Sequence, residues 1–147
     1  MKLDLAANRN IFLLVFLCLT VMMIIAVTLA DRDMALHKSY YERYEAANIL
    51  FKEDMNFDET YDVFKELAEI YKDSYVLELK MAVCAIRMGM WAEAVEHSRL
   101  ALKMYPLLAG DYDFMDAFSY SLKELGETEA AARIMDHYQY IAAPQIR

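Results

Sequence analysis

Apolar and polar positions along this chain follow two regimes. From Ile11 to Ala30 the sequence IFLLVFLCLTVMMIIAVTLA runs for twenty residues without a charge, a Gly or a Pro. Beyond it, apolar residues recur at intervals of three and four, as in Tyr61, Phe64, Leu67, Ala68 and Tyr71, which is the period of one helix face. A helix of twenty residues is roughly 30 Å long, the thickness of a bilayer's hydrocarbon core. Thirteen of the twenty are Ile, Leu, Val or Phe. At about −0.3 to −0.6 kcal/mol each near the bilayer centre they favour insertion by roughly 4–8 kcal/mol. The run predicts a single transmembrane helix over 11–30, after an N-terminal tail over 1–10. A cleaved signal peptide has an apolar core of only about 7–15 residues, so the run is too long for one, although Thr28 and Ala30 mimic a cleavage site. Cys18 follows Phe16 and Leu17 rather than the small residues of a lipoprotein signal.

The rest of the chain reads as all-α. The first Gly is Gly89 and the first Pro is Pro106, so the strong backbone punctuators are absent over a long stretch. Sustained alternation and hairpin turns are absent too. Asp31-Arg32-Asp33 marks the membrane interface, and helix-compatible residues continue to Lys52. One long helix, or two nearly coaxial ones, is expected to leave the bilayer through a connector over 31–40 and to hold the following domain near the membrane.

Internal spacing organises that domain. Met88-Gly89-Met90-Trp91-Ala92-Glu93-Ala94-Val95 leads to Ala101-Leu102 and then to Pro106. Gly89 suits the left-handed residue that ends a helix, Trp91 packs across the turn, Ala94 and Ala101 allow close helix approach, and Pro106 ends the second helix. Thirty-four residues upstream, Phe57 stands where Trp91 does, Thr60 where Ala94 does and Leu67 where Ala101 does. Thirty-seven residues after Gly89 comes Gly126, with Thr128 at the aromatic position. The three extra residues are expected within Leu107 to Asp113. This pattern resembles the tetratricopeptide repeat, whose period is 34 residues. The resemblance covers about 41–142 and implies three helix-turn-helix repeats, near 41–74, 75–108 and 109–142, forming a short solenoid, with a C-terminal tail over 143–147. Tyr138, Tyr140 and Ile141 would cap the array or dock a partner, and the role of Pro144 stays open.

Charge and chemistry narrow the function. After residue 30 the balance is 13 basic against 22 acidic residues, which argues against nucleic acid and against electrostatic attachment to anionic lipid. Glu93 and His97 share a helix face at i and i+4. A metal needs three or four ligands, so a surface hydrogen bond is the better reading. No nucleophile elbow or phosphate loop is present among so few glycines, and Cys18 and Cys84 read as small buried hydrophobes. The expectation is a non-enzyme without cofactor, metal or small-molecule substrate. Most of the eleven Met and eleven Tyr read as core, but Tyr40, Tyr41 and Tyr44 stand just beyond the membrane boundary as interfacial anchors or partner contacts. Lys2, Arg9 and the α-amino group before the apolar run balance Arg32, Lys38 and Arg43 after it, a tie under the positive-inside rule. The short tail before it favours the repeat domain on the non-cytoplasmic, periplasm-like side.

The tetratricopeptide resemblance further implies a groove along the inner face of the first helix of each pair. By register that face carries Glu42, Glu45, Ile49, Lys52 and Glu53, then Val76, Leu79, Val83, Ile86 and Arg87, then Asp113, Asp116, Tyr120, Lys123 and Glu124. Phe57, Gly89, Trp91, Ala94, Ala101, Pro106 and Gly126 are the residues expected to pack the repeat turns. An apolar middle flanked by acid suggests an amphipathic, mildly basic helix or peptide as ligand, unless the chain's own C-terminal segment fills it. The sequence therefore reads as a single-pass membrane scaffold or accessory subunit of a larger complex. The alternative is a free-standing membrane-anchored adaptor or chaperone-like factor in protein assembly or secretion.

Overall fold

The computed structural model describes residues 5–53 and 56–142, with side chains from 12 to 138 in those ranges. The roles expected for Pro144, Tyr140 and Ile141 fall outside the described residues and side chains. Six α-helices and one 3₁₀ turn account for the described elements, and no strand occurs among them. They are α1 (Leu5–Lys52), α2 (Phe57–Ile70), α3 (Tyr75–Met88), α4 (Trp91–Met104), the 3₁₀ turn (Pro106–Gly110), α5 (Tyr112–Glu124) and α6 (Thr128–Ala142). Two compact units divide the chain, residues 1–42 and 43–147.

The first unit is the earlier part of α1. Its apolar side chains from Phe12 to Leu29 are exposed on every side, so this helix has no single core-facing stripe. It is long and apolar enough to cross a bilayer by length and composition. The Thr20 hydroxyl donates to the carbonyls of Phe16 and Leu17, at 3.1 and 2.8 Å, and that of Thr28 to Ile25 at 2.9 Å. These hydroxyls need no outside partner, a requirement in lipid.

The second unit stacks antiparallel helices. Its tightest seam joins α3 to α4, where Ala82, Ala85, Ala94 and Ala101 are all but completely buried. Small side chains there let the two backbones close up, and larger ones fill the layers between pairs: Phe64 and Leu67 from α2, Met115, Phe118 and Leu122 from α5. Burying each of these stabilises by roughly 1.5–3 kcal/mol relative to exposure. On α1, Tyr44 and Phe51 set their rings against Phe64, with centroids 6.0 and 6.1 Å away. Tyr44 is thus a packing contact within this unit, where the sequence suggested a membrane anchor or partner contact.

Two turns share one mechanism. Gly89 (φ 73°) and Gly126 (φ 83°) are left-handed. Their amides reach Ile86 and Lys123, while Met90 and Glu127 reach back to Ala85 and Leu122 at 2.8 Å. That pair of bonds is the Schellman closure of a helix end. At the α1–α2 junction Asn56 (φ 51°) is the left-handed residue, tolerable for Asn. The helix starts keep the sequence spacing: Trp91 follows Phe57 by 34, whereas Tyr112 and Thr128 follow Tyr75 and Trp91 by 37. The extra residues lie in the 3₁₀ turn that Pro106 opens. Asp111 then caps α5, its carboxylate accepting from the Phe114 amide at 3.0 Å.

Thr60 takes in α2 the place that Ala94 takes in α4, and its buried hydroxyl has no hydrogen-bond partner. A hydroxyl left in that state costs about 1–3 kcal/mol. The isosteric Thr60→Val is expected to raise stability of the full chain by about 1 kcal/mol, seen as a higher urea midpoint at unchanged slope. Ala94→Leu, forced into the fully buried helix seam, should lower it by about 1–3 kcal/mol. A Thr60→Val midpoint below the parent's would contradict this account of the seam.

Candidate functional site

The inner stripe of α3 opens onto a cavity of about 340 Å³ lined by Val76, Leu79, Val83 and Ile86. Phe51 of α1 closes one side, and Phe114 and Ala117 of α5 close the other. The middle helix offers its inner face, while its neighbours offer the flanks turned toward it. Three charged residues stand at the walls: Lys80, and the pair Asp111 and Asp113 near the start of α5.

The register-derived residues therefore divide. Val76, Leu79, Val83, Ile86 and Asp113 line the cavity, whereas Glu45, Ile49, Lys52, Glu53, Asp116, Lys123 and Glu124 do not. Glu42 belongs to the first unit, where it pairs with Lys38 at 3.8 Å. Arg87 reaches the Phe57 ring at 5.8 Å, and Tyr120 meets Trp91 edge-on at 5.5 Å, so both side chains are drawn toward other helices. Phe51, Lys80, Leu108, Asp111, Phe114 and Ala117 line the cavity without having been expected there. A repeat register copies one stripe from helix to helix. It says nothing of which flank a neighbour turns inward.

Lys80 ties that wall together. Its ammonium donates to the Asn48 amide oxygen at 2.6 Å. It also lies 4.5, 5.5 and 5.8 Å from the ring centroids of Phe51, Phe64 and Tyr44. Burial, helped by nearby Lys52, pulls its pKa below the usual lysine range. Aromatic faces offset part of that lost hydration by about 0.5–2 kcal/mol per contact. The cation thus joins α1, α2 and α3 while adding a positive edge to an otherwise apolar recess.

A second polar cluster is closed. The Tyr61 hydroxyl lies 2.9 Å from His97 Nε2, and His97 Nδ1 lies 2.7 Å from Glu78 Oε2. With the proton on Nδ1, Tyr61 donates to His97 and His97 donates to Glu78, leaving all three satisfied. The chain spans α2, α4 and α3, and none of its residues lines the cavity. The sequence paired His97 on the surface with Glu93. His97 instead takes the buried carboxylate of Glu78, whose desolvation makes it the more demanding partner. Burial first, then the carboxylates Glu93 and Glu78, push the Tyr61 pKa up from 10.0.

Comparison with known proteins bears on the array as a whole. The family model described as coatomer epsilon subunit matches residues 48–137. Among solved structures, a mutant of MamA superposes with a TM-score of 0.62 at 15% identity, over 69% of this chain and 72% of that one. At that identity the likeness shows the fold alone, a tetratricopeptide-like helical array. A search of curated proteins finds no match.

The Tyr61 chain sets a pH dependence. Because folding raises this pKa, its stabilisation is fully present below the unfolded value near 10.0 and is lost as pH climbs through the folded value. The parent chain should lose stability above about pH 10 more steeply than Tyr61→Phe, measured by urea unfolding from pH 7 to 11. Coincident slopes for the two proteins would contradict the role given to this phenol.

Proposed function

The chain belongs to the coatomer epsilon subunit family, and on that premise we propose that it is a non-enzymatic, membrane-anchored interaction module, an accessory or scaffold subunit of a larger membrane protein complex. One observation carries the reading: Val76, Leu79, Val83 and Ile86 of the inner α3 stripe line an open apolar cavity, with Leu79 also packed against the neighbouring core. Apolar side chains facing a recess of this size favour an apolar occupant, and in a helical-repeat scaffold that occupant is a segment of another protein. The described residues of α6 do not line the cavity, so the described part of the C-terminal helix is not its occupant.

The anchor is the helix over 11–30, inserted in the bilayer with the repeats over 41–142 on the non-cytoplasmic side. Apolar side chains exposed all round the helix and threonine hydroxyls bonded to their own backbone support insertion. The partner is a protein subunit contributing an amphipathic segment to the α3 face. The sequence suggested an apolar middle flanked by acid; Lys80 as well as Asp111 and Asp113 line the cavity. The segment should therefore carry both signs of charge around its apolar stripe.

Purification of the full chain from its native membranes in mild detergent is expected to recover other chains in fixed proportion. Val83→Glu, which puts a charge into the apolar recess, should cut that recovery by about tenfold or more while leaving the chain in the membrane fraction. Recovery of the parent as a lone monomer would remove the subunit reading and leave the free-standing adaptor. Undiminished recovery with Val83→Glu would remove the groove as the contact.

A further inference from the structure

A second recess, of about 580 Å³, lies between α4, α5 and α6. Its floor belongs to the core: Met115 is buried, and Leu102 and Ile134 pack half-buried against the same cluster. Pro106 and Ala109 line it from the 3₁₀ turn, so the insertion before α5 helps to shape it. Arg133 and His137, one turn apart on α6, complete the lining, and no residue lines both this recess and the α3 cavity.

The charge here runs against the rest of the chain. Beyond residue 30 there are 13 basic and 22 acidic residues, yet the ionisable groups on this lining are Arg133 and His137. Among the described residues the Arg133 guanidinium makes one hydrogen bond, from Nε to the Glu129 carbonyl at 3.3 Å. Exposed carboxylates stand nearby, but Asp116, Glu129 and Asp136 do not line the recess. At about 100° per residue, Glu129 and Asp136 fall roughly 40° and 60° round α6 from Arg133, on the side away from Ile134 and His137.

We propose that this recess docks a segment of a partner protein in which an aliphatic side chain stands within two residues of an Asp or Glu. The aliphatic group packs on Met115, Leu102 and Ile134. The carboxylate meets the planar fork of Arg133, which suits it in geometry and charge, and the His137 ring adds a further donor. Pro106, Arg133 and His137 are exposed, so the rim is open to solvent. A bound small molecule buries most of its surface, which such a rim does not provide, whereas a peptide backbone can run along it. This contact is independent of the α3 cavity and differs from it in asking for acid alone.

Selection of random dodecapeptides on the full chain in phosphatidylcholine nanodiscs tests this. The selection uses Val83→Glu, so that the α3 cavity does not compete. Selected peptides should share an aliphatic residue close to Asp or Glu, and should bind the parent chain equally well. In fluorescence anisotropy, Arg133→Glu should weaken them by about tenfold or more, and so should Ala109→Trp, which fills the recess. Lys65→Glu, the same charge change at an exposed position of α2, should leave binding unchanged. Failure to select any peptide, peptides without an acidic residue, or binding that survives both recess variants would overturn the proposal. So would equal losses with Lys65→Glu and Arg133→Glu, which would mean attraction by net charge only. None of these results touches the α3 cavity, which stays blocked throughout the selection.

Discussion

Close approach of α3 to α4 is the constraint on which the second unit depends. Ala82 and Ala85 on one helix meet Ala94 and Ala101 on the other, each at 3% exposure or less. Such a seam brings two backbones together but buries little apolar area of its own. Each pair must therefore be stabilised through its outer faces, and neighbours supply them. Phe64 and Leu67 cover one side of the central pair, while Met115, Phe118 and Leu122 begin the layer on the other. Without the small residues at the seam these larger ones would have no layer to fill.

That arrangement leaves one face of the central pair unpaid. The inner stripe of α3 is as apolar as its buried stripe, yet its neighbours turn only flanks toward it, and a cavity remains. Lys80 shows how the wall tolerates a charge. Three rings and the Asn48 amide hold the ammonium, so the cation is structural and still borders the recess. The Tyr61–His97–Glu78 chain has the composition of a proton relay, but it is enclosed between helices away from that recess and serves to tie three helices together.

The repeat frame was legible in the sequence because it rests on backbone demands that single residues satisfy. Gly89 and Gly126 mark left-handed positions, Pro106 marks a helix that cannot continue, and the extra three residues fall in the turn that Pro106 opens. The α3 stripe was legible for the same reason, since helical period alone sets which side chains share a face. What lay beyond sequence reasoning depends on how helices turn against one another. Phe51, Phe114 and Ala117 reach the cavity by flanks that no register encodes. His97 chose Glu78 over Glu93 because burial, which spacing does not reveal, decides the stronger partner. Tyr44 stood near the apolar run in sequence, but its ring belongs to the Phe64 layer.

The central claim is that the inner stripe of α3 seats a segment of another protein. Photo-crosslinking in native membranes reads this directly, with a photoreactive residue placed at position 83 of the full chain. A matched probe at position 132, exposed on α6, serves as reference. The account predicts one dominant heterologous adduct from position 83 and none of that size from 132. No adduct at 83, or the same spread of weak adducts at both positions, would contradict it.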